Sequence, residues 1–283
     1  MIPDSYLFPL IERAFAEDIG DGDHTSLSCI PQDNKAEAVL LVKEDGIIAG
    51  VDVAKKVVHY YSQKLNLETF IDDGVKVSNG DVVFKLSGPQ RDILAVERTI
   101  LNFMQRMSGI ATHTNQYVQK LQGLKTKVLD TRKTTPGLRL IEKEAVKIGG
   151  GENHRIGLYD MIMIKDNHID YAGGIRNAII AANKYIIKNN LNLKIEIEVR
   201  NLDELRQVLE IGKVHRIMLD NFDIPATKKA VEMIGGKYET ESSGGITLDT
   251  IRQYAECGVD YVSVGALTHH IKSLDLSLKA VKK

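Results

Sequence analysis

Residues 195–221 read IEIEVRNLDELRQVLEIGKVHRIMLDN. Two apolar runs, Ile195-Glu-Ile-Glu-Val199 and Arg216-Ile-Met-Leu219, flank Leu202–Ile211, where apolar residues recur at helical spacing. Strand, helix and strand in about thirty residues make one βαβ unit. The pattern extends in both directions. Further short apolar runs are Lys127-Val-Leu129, Met161-Ile-Met-Ile164, Tyr238–Glu241 and Tyr261-Val-Ser-Val264. Helical segments at Ile175–Lys188, Pro225–Ile234 and Leu248–Cys257 separate them. Strands alternating with helices form a parallel sheet. Six or seven such units without a Rossmann glycine fingerprint favour a barrel over a doubly wound sheet.

The first hundred residues follow other rules. Leu7, Leu10, Ile11, Ala14 and Phe15 mark a helix over Leu7–Glu17, and EDIGDGDHTS at 17–26 then reads as a loop. Lys35–Val42 and Gly46–Ile48 read as strands, and Val53–Ser62 as a helix. DGVKVSNGDVVFKLSG at 73–88 alternates around Asn79-Gly80, which predicts a β-hairpin. It resembles the hairpins of lipoyl and biotinyl carrier folds, but its tip has no lysine to modify. Arg91–Gln122 has a long helical stripe, with Gly109 predicted to mark a bend. Arg98, Asn102 and Gln105 share one polar face, which on spacing alone is a solvent-facing one.

Bulk properties exclude several classes. With 43% hydrophobic and 27% charged residues the chain has globular composition. A net charge of −1 gives no sign of nucleic-acid or membrane binding, so any anion site must come from local clustering. Cys29 and Cys257 are far apart and lack metal-ligand spacing, which fits a reducing cytoplasm. The opening MIPDSYLFPLIERAF does not read as a signal peptide, and no apolar run is long enough to span a bilayer.

The chemistry of an α/β barrel collects where its strands end. Here the runs lead into Asp130-Thr-Arg132-Lys133, Lys165-Asp-Asn-His168, Glu198 with Arg200, Asp220-Asn221, Ser243-Gly-Gly245 and Gly265-Ala266. GGGENHR adds His154 and Arg155 just before the second run. One charged strand end is usually solvated. Four cations (Arg132, Lys133, Arg155, Lys165) and two acids (Glu198, Asp220) at successive ends point to a polyanionic ligand. The two glycine loops suit phosphate held by backbone N–H groups. Gly149-Gly-Gly151 is not followed by Gly-Lys-Ser/Thr, so it is no P-loop. No His-x-x-x-His or cysteine spacing supports zinc, whereas Glu198 and Asp220 suit Mg²⁺ shared with substrate oxygens.

TRKTTPGLR at 131–139, GGGENHRIGLYDMIMIKDNHI at 149–169, EIEV at 196–199, LDN at 219–221, ESSGGI at 241–246 and VGALTH at 264–269 resemble quinolinate phosphoribosyltransferases. EDIGDGDHTS at 17–26 and ERTILNFMQRMSGIAT at 97–112 extend the likeness over nearly the whole chain. Glu152 stands where an uncharged residue is more usual. The resemblance implies an N-terminal α/β sandwich domain (1–112), an incomplete, open α/β barrel (113–268), and a C-terminal segment (269–283) packing back on the first domain. It also implies a homodimer, alone or as the unit of a hexamer, with Arg98 reaching the partner's site to hold quinolinate. Arg132, His154, Arg155 and Lys165 would bind quinolinate, Lys133 the phosphoribosyl pyrophosphate, and Thr131 would be substrate-binding, with Lys133 and Lys165 also catalytic. Glu198 and Asp220 would hold the ribose hydroxyls and act in catalysis, with Mg²⁺ assisting at the pyrophosphate. Ser243, Gly244, Gly245, Val264, Gly265 and Ala266 would bind the 5′-phosphate, and Arg139 and His168 would support.

The implied reaction joins quinolinate to phosphoribosyl pyrophosphate, giving nicotinate mononucleotide, pyrophosphate and CO2 for NAD biosynthesis in the cytoplasm. A ModD-like phosphoribosyltransferase and a non-catalytic ligand-binding homologue are the alternatives. The intact IKDNH at 164–168 favours quinolinate over the first, and Lys165, Glu198 and Asp220 favour catalysis over the second.

Overall fold

A computed structural model describes residues 2–281. Its strands are β1 (Lys35–Val42), β2 (Gly46–Ile47), β3 (Asn66–Thr69), β4 (Lys76–Val77), β5 (Val82–Pro89), β6 (Lys127–Leu129), β7 (Ile162–Ile164), β8 (Ile195–Val199), β9 (Arg216–Asp220), β10 (Glu239–Ser243), β11 (Tyr261–Ser263) and β12 (Leu276–Ala280). The chain divides into two compact units. The first takes residues up to Asn115, Thr135–Gly150 and those from Leu267 on; the second takes Gln116–Thr134 and Gly151–Ala266. No described helix is long and apolar enough to cross a membrane.

The first unit is built on an antiparallel sheet of order β12-β1-β5-β3, with β2 and β4 paired separately. In β1, Ala38, Leu40 and Val42 alternate into the core, as a half-buried strand requires. Helix Asp4–Ile19 buries Leu7, Ile11 and Phe15, one residue per turn. Helix Val51–Tyr61 has its first N–H groups satisfied from a distance. The Asp73 carboxylate accepts from the Val51 and Asp52 amides at 2.8 and 3.2 Å. Helix Arg139–Ile148 buries Glu142, which accepts from Arg106 Nε at 2.9 Å and from the Thr135 amide at 3.2 Å.

Three local expectations need correction. EDIGDGDHTS is not one loop: the first helix runs to Ile19, and His24–Cys29 is a second helix whose start is capped by the Asp23 carboxylate accepting from Ser26 N–H. Asn79-Gly80 does make a turn, closed by Asp81 N–H on Ser78 O, with Gly80 at φ 100°. The flanking strands do not form a hairpin, however: β4 pairs with β2, and β5 pairs with β1 and β3. Gly109 does not bend its helix, which is continuous over Gln90–Lys120. A Cβ there would lie 2.2 Å from the Lys272 carbonyl oxygen and 3.0 Å from Ser273 Cα. Glycine at 109 therefore permits a close backbone approach.

The second unit holds six parallel strands in the order β6-β11-β10-β9-β8-β7. β6 and β7, consecutive in sequence, are the two edges, so the barrel is open between them. The chain before β7 runs along the free edge of β6. Glu152 N–H donates to Val128 O, and Asp130 N–H donates to Glu152 O. The unusual Glu152 forms an ion pair with Lys127 there. Helices Ile175–Lys188, Leu202–Ile211 and Ile224–Ile234 follow β7, β8 and β9. On β8, Ile195, Ile197 and Val199 alternate with Glu196 and Glu198, and all five are buried. One face of this strand is aliphatic and the other carboxylate, which is unusual for a barrel interior.

Candidate active site

The parallel register brings the late strand positions side by side. Ser243 of β10 pairs with Asp220 of β9, and Val199, next to Glu198 in β8, pairs with Leu219. Lys165, directly after β7, sets its Nζ 3.5 Å from Glu198 Oε2. Its backbone N–H donates to His168 Nδ1 at 2.9 Å, so His168 holds the loop through the main chain. Burial raises the pKa of Glu198, the Lys165 ammonium opposes that rise, and the nearby Asp220 charge adds to it. Lys165, Glu198 and Asp220 thus form one electrostatic group.

Two guanidinium groups of the strand-end set, Arg132 and Arg155, act on each other electrostatically. Arg155 is buried, and its side chain donates to Met161 O at 3.2 Å. Burial lowers its pKa, and the neighbouring Arg132 charge lowers it further. The Glu196 and Asp160 carboxylates oppose this lowering, so the Arg155 guanidinium sits among charges of both signs. Thr131 accepts from the Lys133 amide at 3.1 Å, and the Lys133 side chain reaches solvent.

The Ser243–Gly245 loop is shaped by Asn221, which the sequence marks as a strand-end residue but to which it assigns no role. Asn221 adopts φ 56°, donates from its backbone to Ser243 O at 2.9 Å, and from Nδ2 to Asp220 Oδ2 at 2.7 Å. It therefore couples the acid at the end of β9 to the glycine loop after β10. Gly244 has φ 101°, and a Cβ on it would meet Asn221 Oδ1 at 2.2 Å. The signal in the sequence was Asn directly after the strand-end acid, since Asn tolerates the left-handed region. Val264 is buried and donates to Leu129 O at 3.0 Å, while Gly265 leads into the short helix Ala266–His269. Arg98 is exposed on the helix Gln90–Lys120 and belongs to the first unit, as does Arg139.

Beneath the strand ends lies a buried ionic cluster. His154 Nε2 is 2.9 Å from Glu196 Oε2 and 3.3 Å from Glu241 Oε2. Arg216 Nη1 is 3.1 Å from Glu241 Oε2 and 4.0 Å from Glu196 Oε2, and its guanidinium carbon lies 4.1 Å from the centre of the Tyr261 ring. The ligand atoms of His154, Glu196 and Glu241 fall within 4.8 Å of one another, close enough for a metal ion. The Arg216 guanidinium already supplies the positive charge there, so the cluster needs no ion.

Burial works against charge on His154, but Glu196 and Glu241 outweigh it and push its pKa up to about 9. Burial and the Glu241 charge push Glu196 up to about 7. Burial opposes ionisation of Glu241 as well, but His154 and Arg216 outweigh it and hold that carboxyl low. The Arg155 backbone N–H donates to His154 Nδ1 at 2.7 Å, which needs a lone pair on that nitrogen. In this geometry Nδ1 is the acceptor of the ring, and Nε2, which faces the two carboxylates, is its donor side. Sequence reading noted these residues but could not join them, because they come from a loop and three separate strands.

Comparison with known proteins identifies the family. Residues 23–108 match the model of the quinolinate phosphoribosyl transferase N-terminal domain, and residues 110–279 match that of the C-terminal domain. A rice protein named nicotinate-nucleotide pyrophosphorylase [carboxylating], chloroplastic, is 47% identical over 95% of this chain and 76% of its own length. A Bacillus subtilis protein named probable nicotinate-nucleotide pyrophosphorylase [carboxylating] is 41% identical over 95% of this chain and 91% of its own length. The solved nicotinate-nucleotide pyrophosphorylase from Francisella tularensis superposes with a TM-score of 0.91 at 42% identity, covering 99% of this chain and 98% of that one. By both domain models and by these relatives, the chain belongs to the quinolinate phosphoribosyltransferase family.

Proposed function

We propose that this protein is a quinolinate phosphoribosyltransferase, converting quinolinate and phosphoribosyl pyrophosphate to nicotinate mononucleotide, pyrophosphate and CO2 in NAD biosynthesis. The observation that carries the reading is the electrostatic coupling of Arg132 and Arg155, with Lys165 at the next strand end, a set of cations that suits a dicarboxylate. Arg132, Arg155 and Lys165, with Thr131 beside them, bind the acceptor, while His154, its ring nitrogens turned to Glu196 and the Arg155 N–H, supports them from within. Lys133 meets the phosphoribosyl donor, and Ser243–Gly245 with Val264–Ala266 take its 5′-phosphate.

The pyridine nitrogen forms a bond to the ribose C1 as the C1–O bond to pyrophosphate breaks. Positive charge develops on the ribose, and the carboxylates of Glu198 and Asp220 stabilise it while holding the hydroxyls. After transfer, the C2–carboxylate bond breaks. Its electron pair stays on C2 beside the pyridinium nitrogen, and a proton takes the place of CO2. The protein's task is orientation and exclusion of water, with no covalent nucleophile.

Glu198 and Asp220 lie near enough for the charge of one to raise the pKa of the other, which suits a hard divalent cation with oxygen ligands. When bound, Mg²⁺ neutralises charge on the leaving pyrophosphate. Glu198 and Asp220 would hold it, directly or through the substrate.

Turnover with quinolinate against nicotinate tests the reading. Nicotinate mononucleotide should form from quinolinate, the donor and Mg²⁺ in the cytoplasmic pH range, and not from nicotinate. Product from nicotinate alone, or none from quinolinate, sinks the proposal.

The active form is a homodimer, with dimers able to build a hexamer, and Arg98 serves the partner's site. Its exposure, on a helix face where Leu94 and Asn102 are exposed as well, supports that role. Arg98→Ala and Lys165→Ala chains should each be inactive alone and regain part of the activity when mixed. Verified heterodimers with no recovered activity would exclude a shared site.

A further inference from the structure

The buried cluster is more than filler under the strand ends. Four ionisable side chains, His154, Glu196, Arg216 and Glu241, are each less than a tenth exposed. Burying such a group is costly unless it is paired. Aliphatic residues would fill the same space with less penalty, as they do in most barrels. The cluster converges on one ring. Nε2 of His154 faces Glu196 at 2.9 Å and Glu241 at 3.3 Å. Arg216 braces Glu241 at 3.1 Å and is itself held by Glu239 at 3.1 Å and by the Tyr261 face.

The other edge of the ring acts on the main chain. Nδ1 accepts the Arg155 N–H at 2.7 Å, and the His154 N–H donates to the buried Asp130 carboxylate at 2.8 Å. Asp130 immediately precedes Thr131-Arg132-Lys133. The backbone that carries Arg155 is thus tied through one imidazole to β8, β9 and β10, and through Asp130 to the segment that carries Arg132.

We propose that Glu196, Glu241 and Arg216 are positioning residues, which lock the His154 ring in its Nε2–H form so that Nδ1 anchors the Arg155 backbone and sets the spacing of the Arg155 and Arg132 guanidiniums. The inference rests on the reading that these two arginines receive the acceptor's carboxylates. It gives a physical reason for the cluster: the span between two guanidiniums selects a dicarboxylate of matching width. A ring free to rotate would let the Arg155 backbone shift. Sub-ångström spacing matters for bidentate pairs.

Two measurements test it. In ¹⁵N-histidine-labelled wild-type protein, the His154 signals, assigned by their loss in His154→Asn, should show a protonated Nε2 and an unprotonated Nδ1. A protonated Nδ1 overturns the proposal and needs no folded variant of the cluster. In the second, calorimetry follows Glu196→Leu and Glu196→Gln. Glu196→Leu should weaken quinolinate binding about tenfold and leave binding of phosphoribosyl pyrophosphate within about twofold. Glu196→Gln keeps an oxygen for Nε2–H and should recover most of the quinolinate affinity. Unchanged quinolinate affinity in a folded Glu196→Leu protein, or equal loss for both substrates, overturns the proposal. If the wild type binds no quinolinate, the functional reading has failed instead, and the imidazole spectrum alone decides the positioning claim.

Discussion

Lys165→Ala should lower kcat/KM for quinolinate turnover by about 10²- to 10³-fold, as loss of one preorganised charged donor does elsewhere. The Lys165 ammonium has two tasks. In the proposed function it receives the acceptor's carboxylate, and it holds the raised pKa of Glu198 in check from 3.5 Å. Without it, burial and Asp220 act on Glu198 unopposed, and its pKa rises further. Because the role proposed for Glu198 uses its ionised carboxylate, the acid limb of the residual kcat/KM profile should move to higher pH. The fold should survive. The side chain is about half exposed, and the link to His168 runs through the Lys165 backbone, so Tm should change by no more than about 2 °C. Activity within about threefold of wild type, or an acid limb moved to lower pH, would contradict this account.

Gly109→Ala should destabilise the protein by about 3 kcal/mol or more, lowering Tm by at least about 6 °C. In an exposed helix the same change stabilises by about 1 kcal/mol, because alanine loses less backbone entropy. Here the new Cβ would meet the Lys272 carbonyl oxygen at 2.2 Å and Ser273 Cα at 3.0 Å. Both are backbone atoms, so no side-chain rotation relieves the contact. The segment would have to move away, and the Leu274 N–H that donates to Gln105 O would lose its place. Thermal unfolding followed by circular dichroism checks the sign, and a Tm equal to or above that of wild type would show that the close approach does not exist.

Gly109 also shows where a single sequence stops being informative. A glycine within a helical stripe signals a bend if only neighbours count, yet its cause lies 163 residues away in the chain, a reach no local rule has. The 73–88 segment teaches the same lesson for strands. Its turn chemistry was local and correctly read, whereas the partners of β4 and β5 are set by burial elsewhere in the sheet. The barrel was far more legible. Lys127–Leu129, Ile195–Val199, Ile175–Lys188 and Leu202–Ile211 begin and end where periodicity placed them. Each βαβ unit is a local object, so its pattern survives in one stretch of sequence.

The site divides along the same line. Lys165, Glu198 and Asp220 were legible because a parallel sheet gathers whatever follows its strands. Glu196, Arg216 and Glu241 were not, although each breaks an apolar run with a charge. Their meaning depends on strand order and register, which place Glu196 opposite Arg216 and bring Glu241 to the same His154 ring. Asn221 was hidden differently: it does its work through backbone conformation.

The central claim is that one site performs both phosphoribosyl transfer and decarboxylation on quinolinate. It is tested most directly with quinolinate labelled with ¹³C in the 2-carboxylate, incubated with the wild-type protein, phosphoribosyl pyrophosphate and Mg²⁺. The account predicts one labelled CO2 and one pyrophosphate for each nicotinate mononucleotide formed. Pyrophosphate release without labelled CO2, or no nucleotide at all, would contradict it.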